Sequence, residues 1–244
     1  MKDTYTAEDL KARYATFTAL VQAECTLETE LVGGQPATDE GLRMFVKHHL
    51  KLENQAAEEA FGRIKQAEIG TRELPEEAGE LEEYEVGSYN CIRRDAFGSW
   101  LGDWMPKACL KAAASRLGLF QKARGSKGDL AEMGLVRALG ISLLNPLQPE
   151  RIYLIDSKLG CPVGTFWQRF MGRVHTPQGS KSIVTWSECA PPGTRFSFEL
   201  RYYPARLTQD NMADVFAAAM VLGLGSCKSF ERGKFRVDKL SFDK

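Results

Sequence analysis

The stretch Arg195-Phe196-Ser197-Phe198-Glu199-Leu200-Arg201-Tyr202-Tyr203 places an apolar ring or Leu at every even position from 196 to 202, between mostly polar neighbours. A period of two is the mark of a β-strand with one buried face. Thr208 follows as a helix N-cap, and Met212, Val215, Phe216 and Ala219 recur at helical spacing up to a stop at Gly223. The segment Phe235 to Leu240 then reads as a last strand. A half-buried strand, an apolar helix and a strand in succession describe a sheet with a helix on one of its faces.

Working outward, the same period appears near the start. From Ala15 to Leu27 every odd position is Ala, Phe, Val, Cys or Leu and most even ones are Thr, Gln or Glu, so an opening strand is expected there. After Gly33-Gly34, Asp39 is placed to cap a helix carrying Leu42, Phe45, Val46, His49 and Leu52, expected to run on toward Gln66. Ile69 to Glu85 has no clean period and reads as a surface excursion. Asp103 is an N-cap candidate for a further helix, with Pro106 in its first turn, Leu110, Ala113, Ala114 and Leu117 facing inward and Gly118 near its end. Arg151 to Asp156 and Ile183 to Glu188 complete the expected strands. The fold class is therefore α+β, an antiparallel sheet with helices packed on one face. Residues 1–244 are expected to form one domain, with a helical and acidic insertion at about 40–88.

Composition narrows the function. The 244 residues are 43% hydrophobic and carry 32 basic against 32 acidic side chains, the make-up of an ordered globular chain. The longest uncharged apolar run, Val215 to Cys227, is 13 residues with two glycines, short of the roughly 18 that a membrane-spanning helix needs. Met1 to Arg13 is polar and mixed in charge, unlike a signal peptide, so a cytoplasmic location and no membrane partner are expected. The six cysteines show no CxxC or close Cys/His spacing, so they read as free thiols and no metal or other cofactor is expected. The balanced charge is segregated. Glu53 to Glu85 contains eleven glutamates and three basic residues, a local charge of −8 that leaves +8 on the remainder. A solvated acidic face explains the glutamates alone, and the basic remainder suits a polyanion.

Two segments carry more than core patterning. The first, Ile92-Arg93-Arg94-Asp95-Ala96-Phe97-Gly98 continued by Leu101-Gly102-Asp103-Trp104-Met105-Pro106-Lys107-Ala108-Cys109-Leu110-Lys111, sets a glycine turn before a helix. Lys107 and Lys111 lie one turn apart on that helix, so both ammonium groups serve one neighbourhood. The second, Gly223-Leu224-Gly225-Ser226-Cys227-Lys228-Ser229-Phe230-Glu231-Arg232-Gly233-Lys234-Phe235, interleaves three glycines with Lys228, Arg232 and Lys234. Glycines allow backbone to approach a phosphate chain closely while cations neutralise it, though a helix cap and a tight connection would use glycine as well. Between them lies a basic glycine loop with Lys122, Arg124 and Lys127, and further on Arg169 and Arg173 alternate toward His175.

In this order the two segments resemble the RAMP superfamily of CRISPR-associated proteins, most closely its guide-RNA-binding backbone subunits. There a V-V-R-D stretch and a turn glycine precede the first main helix with its L-K-G-x-L-R motif, matched here by Ile92 to Lys111. A glycine-rich loop precedes the last strand, matched here by Gly223 to Phe235. The resemblance implies a ferredoxin-like, RNA-recognition-type fold. It also implies a subunit that grips the sugar-phosphate chain of guide RNA and meets target nucleic acid by way of the guide. Such a subunit stacks with other CRISPR-associated subunits and with copies of itself into a ribonucleoprotein filament for antiviral or anti-plasmid interference. The RNA contacts it implies are Arg93, Arg94, Trp104, Lys107, Lys111, Lys122, Arg124, Lys127, Arg169, Arg173, Gly223, Gly225, Lys228, Arg232 and Lys234. Subunits that cut target RNA carry an aspartate six positions before the Asp of V-V-R-D. Tyr89 stands there, followed by Asn90, so cleavage of target RNA is not expected.

Two other readings stay open from sequence. A metal-free guide-processing endoribonuclease of the same superfamily would need a general base near the RNA 2′-OH, with His175 or His48 as the candidates. A RAMP-like protein encoded by a mobile element and interfering with CRISPR complexes would use the acidic segment Glu53 to Glu85 as a nucleic-acid decoy. Walker, GxSxG and HExxH motifs are absent. Tyr89, Trp100, Trp104, Trp167 and Trp186 are candidates for stacking on bases, and Trp167 and Trp186 equally for the core.

Overall fold

A computed structural model describes residues 6–9, 17–49, 54–67, 75, 85–119, 135–140, 150–176, 179–205, 207–225 and 231–243. In chain order the strands are β1 (Ala19–Leu27), β2 (Leu31–Val32), β3 (Gln35–Pro36), β4 (Glu85–Cys91), β5 (Arg93–Asp95), β6 (Gly98–Gly102), β7 (Leu135–Gly140), β8 (Arg151–Tyr153), β9 (Ile155–Asp156), β10 (Phe166–Thr176), β11 (Gly179–Ala190), β12 (Thr194–Tyr202) and β13 (Phe235–Asp243). The helices are α1 (Asp39–His49), α2 (Asn54–Ala67), α3 (Trp104–Arg116) and α4 (Gln209–Leu222).

The main sheet has the order β13-β1-β12-β7, and every neighbouring pair in it is antiparallel. Helix α3 stands between β1 and β7 in the chain and α4 between β12 and β13. These are two split β-α-β units with strand order four, one, three, two, the ferredoxin-like arrangement. Alternation does the sorting. Val21, Ala23, Cys25 and Leu27 of β1 and Phe196, Phe198, Leu200 and Tyr202 of β12 turn to the helices and are buried. They meet Cys109, Leu110, Ala113 and Ala114 of α3 and Met212, Val215, Phe216 and Ala219 of α4. The Phe216 ring stacks on Phe198 at 6.1 Å, and burial of each such ring contributes about 1.5–3 kcal/mol.

Helix α4 begins as its sequence predicts. The Thr208 hydroxyl accepts from the Asn211 N–H at 3.1 Å while the Asn211 side chain accepts from the Thr208 N–H, a reciprocal cap. Helix α3 departs from expectation at its start, since Asp103 occupies the N-cap position but makes no side-chain capping hydrogen bond. Asp103 is buried, and its own N–H donates to the Glu150 carbonyl.

The opposite face of the main sheet is polar. Gln22, Glu24, Arg195, Ser197, Glu199, Arg201, Arg236 and Asp238 point away from the helices, with Glu24 pairing to Lys239 at 3.4 Å and to Arg195 at 3.8 Å. A bulge between Glu24 and Cys25 leaves Asp238 without a ladder partner. Its carboxylate instead accepts from the Thr26 hydroxyl at 2.5 Å and from Arg236 at 2.7 Å. None of the five aromatic residues proposed to stack on bases lies on this sheet. Tyr89 is on β4, Trp100 on β6, Trp104 on α3, Trp167 on β10 and Trp186 on β11.

A second sheet, β10-β11-β4-β3 with β2 on the end of β11, holds the long β10–β11 hairpin and one parallel pair, β4 with β11. A three-stranded sheet, β5-β6-β8, links the two. Several boundaries differ from the sequence reading. The expected single helix from Asp39 toward Gln66 is two helices, the opening strand begins at Ala19, and Arg151 to Asp156 divides into β8 and β9. Most of the expected acidic excursion, Ile69 to Glu85, lies outside the described residues, as do Lys122, Arg124, Lys127 and Lys228 and the side chains of His48, Arg173 and His175.

Candidate nucleic-acid interface

The two motifs, more than a hundred residues apart in the chain, meet across one cleft. Its lining is Leu31 to Gln35, Cys91 to Arg93, Trp100 to Gly102, Trp104, Met105, Ala108 and Gly225, around a cavity of about 200 Å³. The first motif supplies most of the wall and the glycine loop supplies Gly225. A hydrogen bond ties them together behind the cleft, where the buried Cys109 thiol lies 3.2 Å from the Gly223 carbonyl, an acceptor left over at the end of α4.

The β5–β6 hairpin is held by its own motif. Asp95, buried, accepts from the Phe97 N–H at 2.8 Å and the Tyr153 hydroxyl at 2.6 Å, and it pairs with Arg151. Arg94 reaches the other way, to Glu188 at 2.5 Å and the Thr165 hydroxyl at 2.6 Å. The hairpin is thereby fastened on both sides. It carries the buried Trp100, whose ring faces the guanidinium groups of Arg93 at 5.1 Å and Arg151 at 4.9 Å.

Glycine is required where the walls touch. A Cβ on Gly33 would fall 2.4 Å from the Cys91 carbonyl carbon, and one on Gly225 would fall 2.8 Å from Leu31 Cδ1, at a φ of +75°. The Gly33-Gly34 pair, read from sequence only as a break, is thus part of the cleft wall. The signal was present in the doubled glycine, but nothing local says what packs on it.

The cations expected to meet phosphate divide into two groups. Arg94 is bound to Glu188, Arg232 to Glu30, and Lys234 to Glu231 at 3.2 Å. Lys107 and Lys111 have no carboxylate within ion-pair distance among the described residues, and Arg169 stands exposed on β10 without one. Lys107 and Lys111 continue the stripe of α3 that begins at Trp104 and Ala108 in the cleft. Partial burial, and then the neighbouring Lys111 ammonium, pull the Lys107 ammonium below the usual lysine range. Lys107 and Lys111 thus set two neighbouring positive charges on the helix that also supplies Trp104, Met105 and Ala108 to the cleft.

Among the described residues no cluster of three metal-ligating side chains occurs and no helix is long and apolar enough to cross a membrane. No protein-family model matches the chain, and no curated protein matches it. Solved structures similar to it include a chain of the type III-B Cmr-beta bound to cognate target RNA, at 12% identity and a TM-score of 0.46. The match covers 97% of this chain and 65% of that one, so this chain spans about two thirds of its length. The crystal structure of Cmr6 from Pyrococcus furiosus is similar at 11% identity and a TM-score of 0.37, covering 90% of this chain and 98% of that one.

Proposed function

We propose that this chain is a non-catalytic RNA-binding subunit of the RAMP superfamily, holding single-stranded guide RNA by its sugar-phosphate chain. The observation that carries the reading is the pair Lys107 and Lys111, uncompensated cations on the helix where both motifs meet. The fold agrees, because a four-one-three-two antiparallel sheet with two helices on one face is the one the resemblance implies. The polar outer face of that sheet, with Glu24, Arg195, Arg236 and Asp238 in ion pairs and no aromatic side chain among its described residues, argues for RNA running past α3 and the glycine loop instead.

In this reading residues 1–244 are one domain with an insertion near 40–88. The protein works in the cytoplasm beside other CRISPR-associated subunits, meets target nucleic acid by way of the guide, and stacks head to tail with its own copies on the RNA. Charge dominates the affinity and sequence matters little. The test is a binding titration of a labelled single-stranded RNA of arbitrary sequence against the wild type and Lys107→Glu/Lys111→Glu. Loss of about tenfold or more in affinity, with a shallower dependence on salt, supports the site. Unchanged affinity removes it.

A further inference from the structure

We propose that the cleft beneath Trp104 is a subsite for one unpaired nucleobase, stacked on the Trp104 indole while the adjoining phosphates lie on Lys107 and Lys111. The proposal rests on the RNA-binding reading and adds a contact to the base, where that reading needs only the backbone.

Trp104 is 57% exposed, yet it is seated in place. A Cβ on Gly102 would fall 2.5 Å from its Nε1 and 2.8 Å from Cδ1, so the indole is laid against the bare backbone of β6 in space that only glycine leaves. A large aromatic face held fixed and left open to solvent is what a stacking platform requires. The same cleft is lined by apolar Leu31, Met105 and Ala108, with Gln35 and Arg93 as its polar members. Buried Trp100 in the same lining has an Nε1 donor with no hydrogen-bond partner among the described residues. Such a buried donor can be satisfied by a ligand's acceptor or by water.

The occupant is decided by charge. An apolar cleft rimmed by paired or neutral side chains would suit a partner's hydrophobic residue. Here the stripe of α3 that leaves the cleft carries Lys107 and Lys111, three and seven residues beyond Trp104 and therefore on the same side of the helix. A planar apolar group joined to consecutive negative charges is a nucleotide within a strand. Stacking is indifferent to which base is present, consistent with a subunit that reads little sequence.

The test compares a labelled single-stranded RNA with an abasic sugar-phosphate strand of the same length, using the full chain and its variants Trp104→Ala, Trp104→Phe, Gly102→Ala and Lys107→Glu/Lys111→Glu. Circular dichroism confirms that each remains folded, which the exposure of Trp104 favours. Trp104→Ala should weaken the RNA about tenfold and leave the abasic strand unchanged, Trp104→Phe should keep most of the affinity, and Gly102→Ala should follow Trp104→Ala. The lysine pair should weaken both strands alike. If Trp104→Ala leaves RNA binding unchanged, or weakens the abasic strand equally, while the lysine pair still matters, the base subsite is overturned and backbone binding stands. If the wild type binds neither strand, both readings fall.

Discussion

The carboxylate of Glu188, 4% exposed, joins two sheets through two different donors: the Arg94 guanidinium at 2.5 Å on one oxygen and the Ile92 N–H at 3.0 Å on the other. It thereby locks the start of the first motif onto β11. Removing one partner of a buried pair strands the other charge, at about 3–5 kcal/mol when both are enclosed. The Arg94 side chain is 39% exposed, so water takes over part of its role. Arg94→Ala is expected to cost about 2 kcal/mol, read as a lower urea midpoint at unchanged slope. Glu188→Gln keeps an acceptor for the Ile92 N–H but sets an amide donor against the Arg94 guanidinium and the Thr165 hydroxyl, so it should cost at least as much. A midpoint unchanged in both variants would mean that this network adds nothing to stability.

Gly233 and Gly118 share a positive φ, +72° and +69°, in opposite surroundings. A Cβ on Gly233 would lie 1.9 Å from the Leu224 carbonyl oxygen, while one on Gly118 would meet nothing within 4 Å. Gly118→Ala therefore carries only the conformational penalty of about 1–2 kcal/mol. Gly233→Ala must in addition separate the glycine loop from the turn before β13, and about 3 kcal/mol or more is expected. Thermal unfolding of the two variants side by side measures the difference, and equal melting temperatures would show that the loop does not pack as described.

How much of this was legible in the sequence follows from the range of the interactions. The alternation of 196 to 202, the Thr208 cap and the four buried positions of α4 are local, and each stands as the spacing predicts. The parallel pairing of β4 with β11 joins segments about a hundred residues apart, and no local pattern announces a partner. The β10–β11 hairpin escaped because β10 leaves Phe166, Arg169 and Met171 exposed, which blurs its alternation. At the cleft, the first motif pointed to helix α3, which lines it, but composition cannot say which cations are already paired. Arg232 and Lys234 looked equivalent to Lys107 and Lys111 until Glu30 and Glu231 were placed beside them.

Cysteine reactivity should separate sharply. Cys161 is exposed, while Cys25, Cys91, Cys109 and Cys189 are buried. Burial, reinforced by the Asp238 charge, pushes the Cys25 thiol far up, so it offers almost no thiolate at neutral pH. Under native conditions a maleimide should label Cys161 within minutes and Cys25 only after unfolding, as followed by mass spectrometry of the peptides. Rapid native labelling of Cys25 would mean that the main sheet opens.

The free chain holds Lys107 with its ammonium disfavoured by burial and then by Lys111, a preference that a phosphate bound beside it would reverse. The sign follows from linkage. For folding alone, the unfolded chain holds the Lys107 proton more tightly, so stability rises slightly with pH between the lowered native value and the ordinary lysine value of 10.5. For binding, RNA favours the protonated lysine, so a proton is taken up on association in that same window. Affinity should be full below the lowered Lys107 value and decline as pH rises through it. Lys107→Arg, always charged, should abolish the early decline. Lys111→Ala, which removes the repulsion, should shift the decline upward while lowering affinity at neutral pH. Titrations of a hydrolysis-resistant 2′-O-methyl strand from pH 7 to pH 10 at constant ionic strength measure this directly. A Lys107→Arg profile that declines together with the wild type would assign the alkaline loss to other groups and take Lys107 out of the phosphate contact.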